Sequence, residues 1–409
     1  MKIESCRFCG SNNLHEFLDL GLCQPADQFT HLPYLESKAK KYPLQVVICS
    51  DCKLVQLNYT CSGDVLYQQD YPYESNITLE GRNHWRNFAN DVIKKFDLNK
   101  NDLVIDIGSN IGELLINFKN QTKIYGIDPA HNIVAKAIER GVPTLCEFFD
   151  KNIVNKFKEL GLFPRVITGT NVFAHLDDVN GSLEVVKKIL LPNGIFIIEV
   201  PYLLNLLKGL EYDTIYHEHL TYLSITPLNE LFIKHGLEIF DLEFKDIHGG
   251  SVRVFTKHIE YDIEKSEKIK TIIGNEKKEK IHELDVLNKF AISVQEHKKK
   301  LLSLLEQLKK DGKKIAAVGA PAKGMTLLNY CEIDDNLLDF VTEVSELKKG
   351  KYCPGTNLKI CSDSELLLQK IDYALILPWN FKKEIMMNLK DFKLGGGKFI
   401  IPLPKIEIL

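Results

Sequence analysis

Val104-Ile105-Asp106-Ile107-Gly108-Ser109-Asn110-Ile111-Gly112 is the stretch that decides the fold. A β-branched apolar run that stops at an acidic residue and passes into a glycine turn reads as the first strand, loop and helix start of an open α/β sheet. A second apolar run ends at Ile127-Asp128, so two strands in succession terminate beside a carboxylate. Such sheets bind small molecules at the carboxyl ends of their strands, where Asp106 is placed. Gly108 and Gly112 would let the backbone approach a bound group closely. The spacing is D-x-G-x-N-x-G, and the nicotinamide fingerprint G-x-G-x-x-G is absent.

That difference bears on the ligand. A pyrophosphate needs a close, glycine-lined approach to a helix N-terminus, whereas a cationic sulfonium with an amino-acid tail can use a carboxylate at the first turn. Asp106 supplies that carboxylate, and Asp128 is placed to accept two ribose hydroxyls. Together these motifs resemble those of class I S-adenosylmethionine methyltransferases. Asn110 stands where that class most often has glycine. The competing reading is an ordinary strand-turn-helix with a surface aspartate.

At 409 residues the chain is too long for one typical core, so two or three domains are expected. Its 44% hydrophobic and 26% charged residues are those of an ordinary globular protein. Lys+Arg 52 against Asp+Glu 55 leaves a formal net charge of -3, which offers no global field for nucleic acid or an anionic membrane. The start, Met1-Lys2-Ile3-Glu4-Ser5-Cys6, has no apolar signal core, and no segment is apolar for long enough to span a bilayer. A cytoplasmic protein with no nucleic-acid, membrane or protein partner is expected.

Four of the ten cysteines form two C-x-x-C pairs, Cys6/Cys9 and Cys49/Cys52, a spacing that suits two knuckles on one tetrahedral zinc. A redox pair would need a thioredoxin-like surrounding pattern, which is missing. Cys23 and Cys61 belong to no pair, and others such as Cys146 and Cys331 are scattered through apparent core elements. Residues 1–65 are too few to make a core unaided, so metal is expected to staple them.

Residues 66–82 read as a linker carrying Tyr71-Pro72-Tyr73, with Pro72 keeping Tyr71 out of a helix. An amphipathic helix is expected over 84–96. Residues 83–257 alternate strand and helix, with strands at 103–107, 123–127, 165–168 and 195–200, which implies a mainly parallel sheet. A lysine-rich helical connector occupies 258–311, with Phe290, Val294, Leu301, Leu304, Leu305 and Leu308 on one face. A second α/β domain is expected over 312–409, opening with Ile315 to Val318 and the loop Gly319-Ala320-Pro321-Ala322-Lys323-Gly324, with later strands at 338–341, 373–377 and 398–401. That loop either suits a phosphate beside Lys323 or merely closes a strand-helix turn, and it lacks the G-x-x-x-x-G-K-[ST] spacing of ATP hydrolysis.

Reactive side chains concentrate in Tyr216-His217-Glu218-His219 and Tyr222, which offer a base, an acceptor and a phenol in one short segment, or simply knit a loop. His175, in Asn171-Val172-Phe173-Ala174-His175, falls near a strand's carboxyl edge and reads equally as a core or capping histidine. His248-Gly249-Gly250-Ser251-Val252-Arg253 offers a guanidinium for an anionic or hydroxyl-rich substrate, or a hairpin bend.

Taken in order, the cysteine knuckles, Tyr-Pro-Tyr, Asp-x-Gly-x-Asn-x-Gly, Asn-x-x-x-His, Tyr-x-Glu-His, His-Gly-Gly and the C-terminal Gly-Ala-x-Ala-Lys loop resemble the nucleotide-sugar C-methyltransferase family of branched-sugar biosynthesis. The resemblance covers nearly the whole chain. It implies an α/β protein with a small N-terminal zinc-binding module, a central class I methyltransferase Rossmann-like domain and a second C-terminal Rossmann-like domain. S-adenosylmethionine and structural zinc, held by Cys6, Cys9, Cys49 and Cys52, are the implied cofactors, and a nucleotide-linked keto-deoxysugar the substrate. Matched to the family, His219 is the general base with Glu218 orienting it, and Tyr71, His175 and Tyr216 complete the catalytic set. Asp106, Gly108, Asn110, Gly112, Asp128 and Asn171 would hold the cofactor. Tyr73, Tyr222, His248, Arg253, Lys323 and Asn329 would meet the substrate. His217 is given no role. Competing functions are O-methylation of a sugar or small metabolite and a zinc-bearing binding protein with a degenerate core; an NAD-linked sugar oxidoreductase lacks its fingerprint in both glycine loops.

Overall fold

The computed structural model describes residues 1–33, 39–67, 71–247 and 249–409. Among them are sheets of four, seven and six strands. The seven-stranded sheet runs in the order Leu237–Lys245, Ser251–His258, Ile195–Pro201, Val166–Thr170, Leu103–Ile107, Lys123–Ile127, Thr144–Leu145. From Ile195–Pro201 onward its strands are parallel, and Ser251–His258 is antiparallel to both neighbours. Every residue of Leu103–Ile107 is buried, as a parallel strand covered on both faces must be. Chain order reverses between Leu103–Ile107 and Val166–Thr170, where Asp106 stands opposite Thr168. A crevice opens at the carboxyl ends of strands at such a reversal. This is the Rossmann-like sheet that the opening motif implies.

The six-stranded sheet is a second α/β layer: Ile360–Cys361, Val341–Thr342, Ile315–Val318, Tyr373–Ile376 and Lys398–Ile401 are parallel, and Glu407–Ile408 closes the edge antiparallel. The expected strand at 338–341 is shorter and later. Leu338 and Phe340 are buried just ahead of the strand, where the Asp339 N–H donates to the Ile315 carbonyl and the Phe340 carbonyl accepts the Ala317 N–H, so this stretch already borders Ile315–Val318.

The four-stranded antiparallel sheet joins Leu14–Cys23, Tyr42–Cys49 and Val55–Leu57 to Thr221–Tyr222, a strand contributed from far downstream. Its apolar face is not isolated. Leu18, Val46 and Leu57 share one core with Val294 and Leu301 of the helix Leu284–Lys310 and with Ile315 and Leu375 of the six-stranded sheet. Cys6, Phe8 and Cys49 pack instead with Ile198 and Leu228 of the seven-stranded sheet's core. The N-terminal residues therefore gain a core from both α/β layers in addition to any metal.

The helix Leu284–Lys310 buries Leu287, Phe290, Val294, Leu301, Leu305 and Leu308 and leaves Lys299 and Lys300 exposed, the amphipathic division its spacing implies. The helix expected to begin at 84 begins at Leu79, because the Thr78 hydroxyl accepts the Gly81 N–H and caps it. Among the described residues no helix is long and apolar enough to cross a membrane.

Candidate functional site

A cleft of ≈ 1990 Å³ lies over the carboxyl ends of Leu103–Ile107 and Val166–Thr170 and reaches the glycine loop of the C-terminal sheet. Asp106, Gly108, Asn110, Asp128 and Asn171 line its inner part. The Thr168 hydroxyl donates to Asp106 Oδ1 at 2.6 Å, and burial raises the Asp106 carboxyl to about 7. Asp128 is raised by burial as well; its Oδ2 accepts the Asn110 N–H and its Oδ1 the Ala130 N–H, each at 2.9 Å. A carboxylate oxygen has two lone pairs, so each keeps one for a ligand hydroxyl.

Two members of the glycine turn have different work from that expected. Asn110 adopts φ +49°, the left-handed conformation a glycine would take, and its side chain turns outward to the linker. Its Oδ1 accepts the Ser75 N–H at 2.9 Å and its Nδ2 donates to the Tyr73 carbonyl at 3.1 Å. Asn110 thus pins the tyrosine loop over the cleft. Gly112 is absent from the cleft lining: at φ +75° its added Cβ would stand 2.7 Å from Val142 Cγ2, so the glycine serves the close approach of the turn to the Val142 side chain rather than approach to a ligand.

Above these residues lies the reactive cluster. His219 Nδ1 donates to the Thr214 carbonyl at 2.8 Å, and Tyr216 Oη stands 2.7 Å from His219 Nε2. Burial lowers His219 to about 4, so its ring is neutral at ordinary pH with Nε2 as the acceptor nitrogen. His175 is 5.0 Å away, centroid to centroid, and burial followed by the His219 neighbour holds it well below the usual histidine range. Glu218 does not orient His219. It faces Tyr71, whose hydroxyl donates to Glu218 Oε2 at 3.4 Å, and the Thr214 carbonyl does the orienting. Burial, with Asp27 adding to it, raises Glu218 well above the usual carboxylate range. Tyr71 is fixed by two hydrogen bonds between its backbone and the Asn132 side chain, 3.3 and 3.0 Å. Tyr73 lines the same wall and is 40% exposed.

Lys323, on the first turn of Ala322–Cys331, reaches the cleft from the C-terminal side. Its ammonium lies 4.2 Å from the Trp379 ring centroid; burial lowers its pKa while Asp213 and Glu211 oppose that shift. Trp379 Nε1 donates to Asp213 Oδ2 at 2.7 Å, which ties this wall to the segment presenting His219.

Three expected substrate contacts lie elsewhere. Arg253 is 1% exposed: its Nε donates to Glu199 Oε2 at 2.8 Å and its guanidinium stacks 3.8 Å from the Phe88 ring centroid. Glu199 also pairs with His84 at 2.5 Å. Arg253 is thus committed to a buried ion pair. Tyr222 pairs with Val55 in the four-stranded sheet and is absent from the cleft lining. Asn329 Nδ2 donates to the Met325 and Pro354 carbonyls, both at 2.8 Å, and fastens the 353–356 turn. His248 lies outside the described residues. Its neighbour Gly249 abuts Glu211, whose Oε2 would be 2.3 Å from an added Cβ, so this glycine admits a side chain of the protein itself. His217 donates from Nε2 to the Tyr42 carbonyl at 3.3 Å and takes no place in the cleft lining.

The sequence reading missed Thr168, Thr214, Asp27 and Lys348. Asp27 and Lys348 line the cleft from opposite ends of the chain, and Lys348 Nζ donates to the Ala320 carbonyl at 2.8 Å. The sheet register that sets Thr168 beside Asp106 was the one signal within reach.

Cys6, Cys9, Cys49 and Cys52 carry their sulfurs within 4.8 Å of one another. Cys6 and Cys52 Sγ are 3.5 Å apart and Cys9 and Cys49 Sγ 3.6 Å apart, with all four thiols free of disulfides. Two thiolates on one tetrahedral zinc with bonds of 2.3 Å stand about 3.8 Å apart, so the donor set fits a structural zinc. Gly10 and Lys53, each following a second cysteine, share the left-handed conformation of matching knuckles.

A family model described as a C-methyltransferase C-terminal domain matches residues 246–404, one for a zinc binding domain matches 6–67 and one for a methyltransferase domain matches 82–242. The chain is 32% identical over 408 residues to C-methyltransferase NovU from Streptomyces niveus, covering 100% of this chain and 97% of that protein. Among solved structures, magnesium protoporphyrin IX methyltransferase ChlM from Synechocystis PCC 6803 with bound SAH has a TM-score of 0.35 and 12% identity, covering 45% of this chain and 89% of that one. An S-adenosylmethionine-dependent methyltransferase from Clostridium acetobutylicum has a TM-score of 0.35 and 12% identity, covering 43% and 92%.

Proposed function

The chain belongs to the S-adenosylmethionine-dependent C-methyltransferases, and from that premise we propose that it methylates carbon 3 of a nucleotide-linked 4-keto-deoxysugar through an enolate, with His219 as general base. The observation that carries this reading is the state of His219. Its Nδ1–H is committed to the Thr214 carbonyl, its Nε2 is an acceptor in the cleft, and burial keeps the ring unprotonated. A hydrogen on carbon next to a ketone is acidic enough for such a base when the developing oxygen charge meets hydrogen-bond donors.

Asp106 would hold the cationic amino-acid end of the cofactor, Asp128 its ribose hydroxyls, and Gly108 and Asn171 line the same floor. Bound S-adenosylmethionine supplies the electrophilic methyl group. The Tyr216 hydroxyl rests on His219 Nε2. When the sugar's C–H takes that place, Tyr216 turns to the ketone oxygen, and Tyr71, held on Glu218, closes the same pocket. Lys323 meets the diphosphate from the C-terminal wall, and Tyr73 borders the entrance. The zinc knuckles hold structure and stay out of the transfer.

The test is incubation of the purified protein with S-adenosylmethionine and a panel of nucleotide-linked 4-keto-deoxysugars, with NMR of any product that gains a methyl. A methyl bonded to ring carbon 3 supports the reading. A methyl on oxygen, or on another carbon, contradicts it.

A further inference from the structure

Two imidazoles stand 5.0 Å apart in the cleft, each lowered by burial, and each meets a different outer hydrogen-bond partner. His219 gives its Nδ1 proton to the Thr214 carbonyl, which leaves Nε2 as an acceptor. His175 meets a different partner: the Tyr67 hydroxyl, 3.3 Å from His175 Nδ1, on a ring stacked at 17° to the imidazole. Tyr67 ends the short helix Gly63–Tyr67 and lines the cleft.

The direction of the Tyr67 bond follows from counting protons. Both groups lie in the cleft wall, and burial holds the phenol well above its usual range, so Tyr67 keeps its proton. His175 Nδ1 is the acceptor that the described residues offer it. A buried phenol O–H takes a partner. With Tyr67 donating, the neutral imidazole carries its proton on Nε2, and that N–H alone is left to be paired. With the reverse direction, the Tyr67 O–H and the Nε2 lone pair would both be left unmet. His175 Nε2 is buried and has no partner among the described residues.

We propose that Tyr67 is a positioning residue that fixes His175 as the Nε2–H tautomer, so that His175 donates a hydrogen bond to the oxygen on which charge develops as His219 removes the carbon proton. The inference rests on the enolate reading given above. In that step the C–H electron pair becomes the new C=C bond, the carbonyl π pair moves onto oxygen, and the proton passes to His219 Nε2. His175 keeps its own proton throughout. The enolate carbon's electron pair then forms the bond to the sulfonium methyl as the methyl–sulfur bond breaks and leaves its pair on sulfur, giving the neutral thioether, while the carbonyl re-forms and His219 returns the proton to solvent. A neutral donor is suited to this place, because a cationic ring 5.0 Å from His219 would weaken the base.

Long-range proton–nitrogen correlation spectra of the ¹⁵N-histidine-labelled, zinc-loaded full chain with S-adenosylmethionine read the tautomer directly, with the His175 signals assigned by their loss in His175→Gln. Nε2-protonated His175 in the native chain, shifting toward Nδ1-protonated in Tyr67→Phe, is the expected result. Nδ1-protonated His175 in the native chain overturns the inference, whatever the acceptor. With the keto-sugar, Tyr67→Phe should lower kcat at least tenfold while KM stays within about twofold, and an unchanged kcat overturns the inference. His175→Gln, which keeps an N–H donor, should retain at least tenfold more turnover than His175→Leu; equal loss in both overturns the donor role. A native chain that forms no C-methylated sugar overturns the functional reading instead, and the tautomer is still decided by the spectrum.

Discussion

The Thr214 carbonyl oxygen lies 2.8 Å from His219 Nδ1 and so decides which nitrogen of the proposed base is free to accept a proton. A carboxylate in that position would raise the basicity of the ring. A carbonyl orients it, while burial lowers it to about 4. The base is therefore weak and is present in its active form over the whole neutral range.

The pH profile follows. His219 is neutral above about 4 and protonated below, so kcat/KM for the sugar at saturating cofactor should lose its base-dependent limb only as pH falls through that value. A limb near 6.5, the ordinary histidine value, would show that the active base is a different or solvated group.

Asp106 titrates in the same sense for binding, but at higher pH. Its carboxyl is raised to about 7 by burial, and a cationic ligand group favours the ionised form. S-adenosylmethionine affinity should be full above pH 7 and fall as pH drops, by about thirtyfold at pH 5.5 for one coupled proton. Calorimetric titration of Asp106→Asn should give weaker binding without that dependence. A native chain with pH-independent affinity would remove Asp106 from the cofactor's cationic end.

Asn110→Gly separates loop anchoring from cofactor contact. Glycine keeps the φ of +49° at no steric cost but deletes the bonds to the Ser75 N–H and the Tyr73 carbonyl, worth about 1–3 kcal/mol locally. Hydrogen exchange at the Ser75 amide should accelerate at least tenfold, with cofactor affinity within about twofold. Lost affinity with unchanged Ser75 protection would put Asn110 on the cofactor after all.

Arg253→Ala should act on stability. It leaves Glu199 as a buried charge with only His84 against it, at a cost of about 3–5 kcal/mol. Thermal unfolding should shift down sharply while the KM of the remaining folded enzyme holds. A raised KM at unchanged Tm would return Arg253 to the substrate.

Zinc should be stoichiometric and structural. Arg7, inside the first knuckle, pairs with Asp177 at 3.1 Å, two residues beyond His175, and Asn180 Nδ2 donates to the Arg7 carbonyl at 2.6 Å. Cys9→Ser should lose the bound metal and about 3–5 kcal/mol of stability. Metal analysis showing full zinc in Cys9→Ser would exclude that cysteine as a ligand.

Local signals in the chain carried the fold, and distant pairings hid much of the site. Asp106 and Asp128 end consecutive strands beside a glycine turn, and the cysteine pairs have their own spacing, so both could be read from neighbours a few residues apart. Arg253 could not, because its partner Glu199 lies on another strand and nothing near residue 253 announces an ion pair. Tyr222 lies three residues beyond His219 in sequence, yet its register with Val55 carries it into the four-stranded sheet. Glu218 and His219 are adjacent, and their side chains still take different partners, Tyr71 and Thr214.

The most direct test of the central claim is solvent deuterium exchange at carbon 3 of the accepted keto-sugar, followed by NMR with S-adenosylhomocysteine in place of the methyl donor. The native enzyme should exchange that hydrogen, and His219→Ala should do so at least a hundredfold more slowly while retaining its fold and cofactor affinity. Exchange by His219→Ala at the native rate would contradict the account.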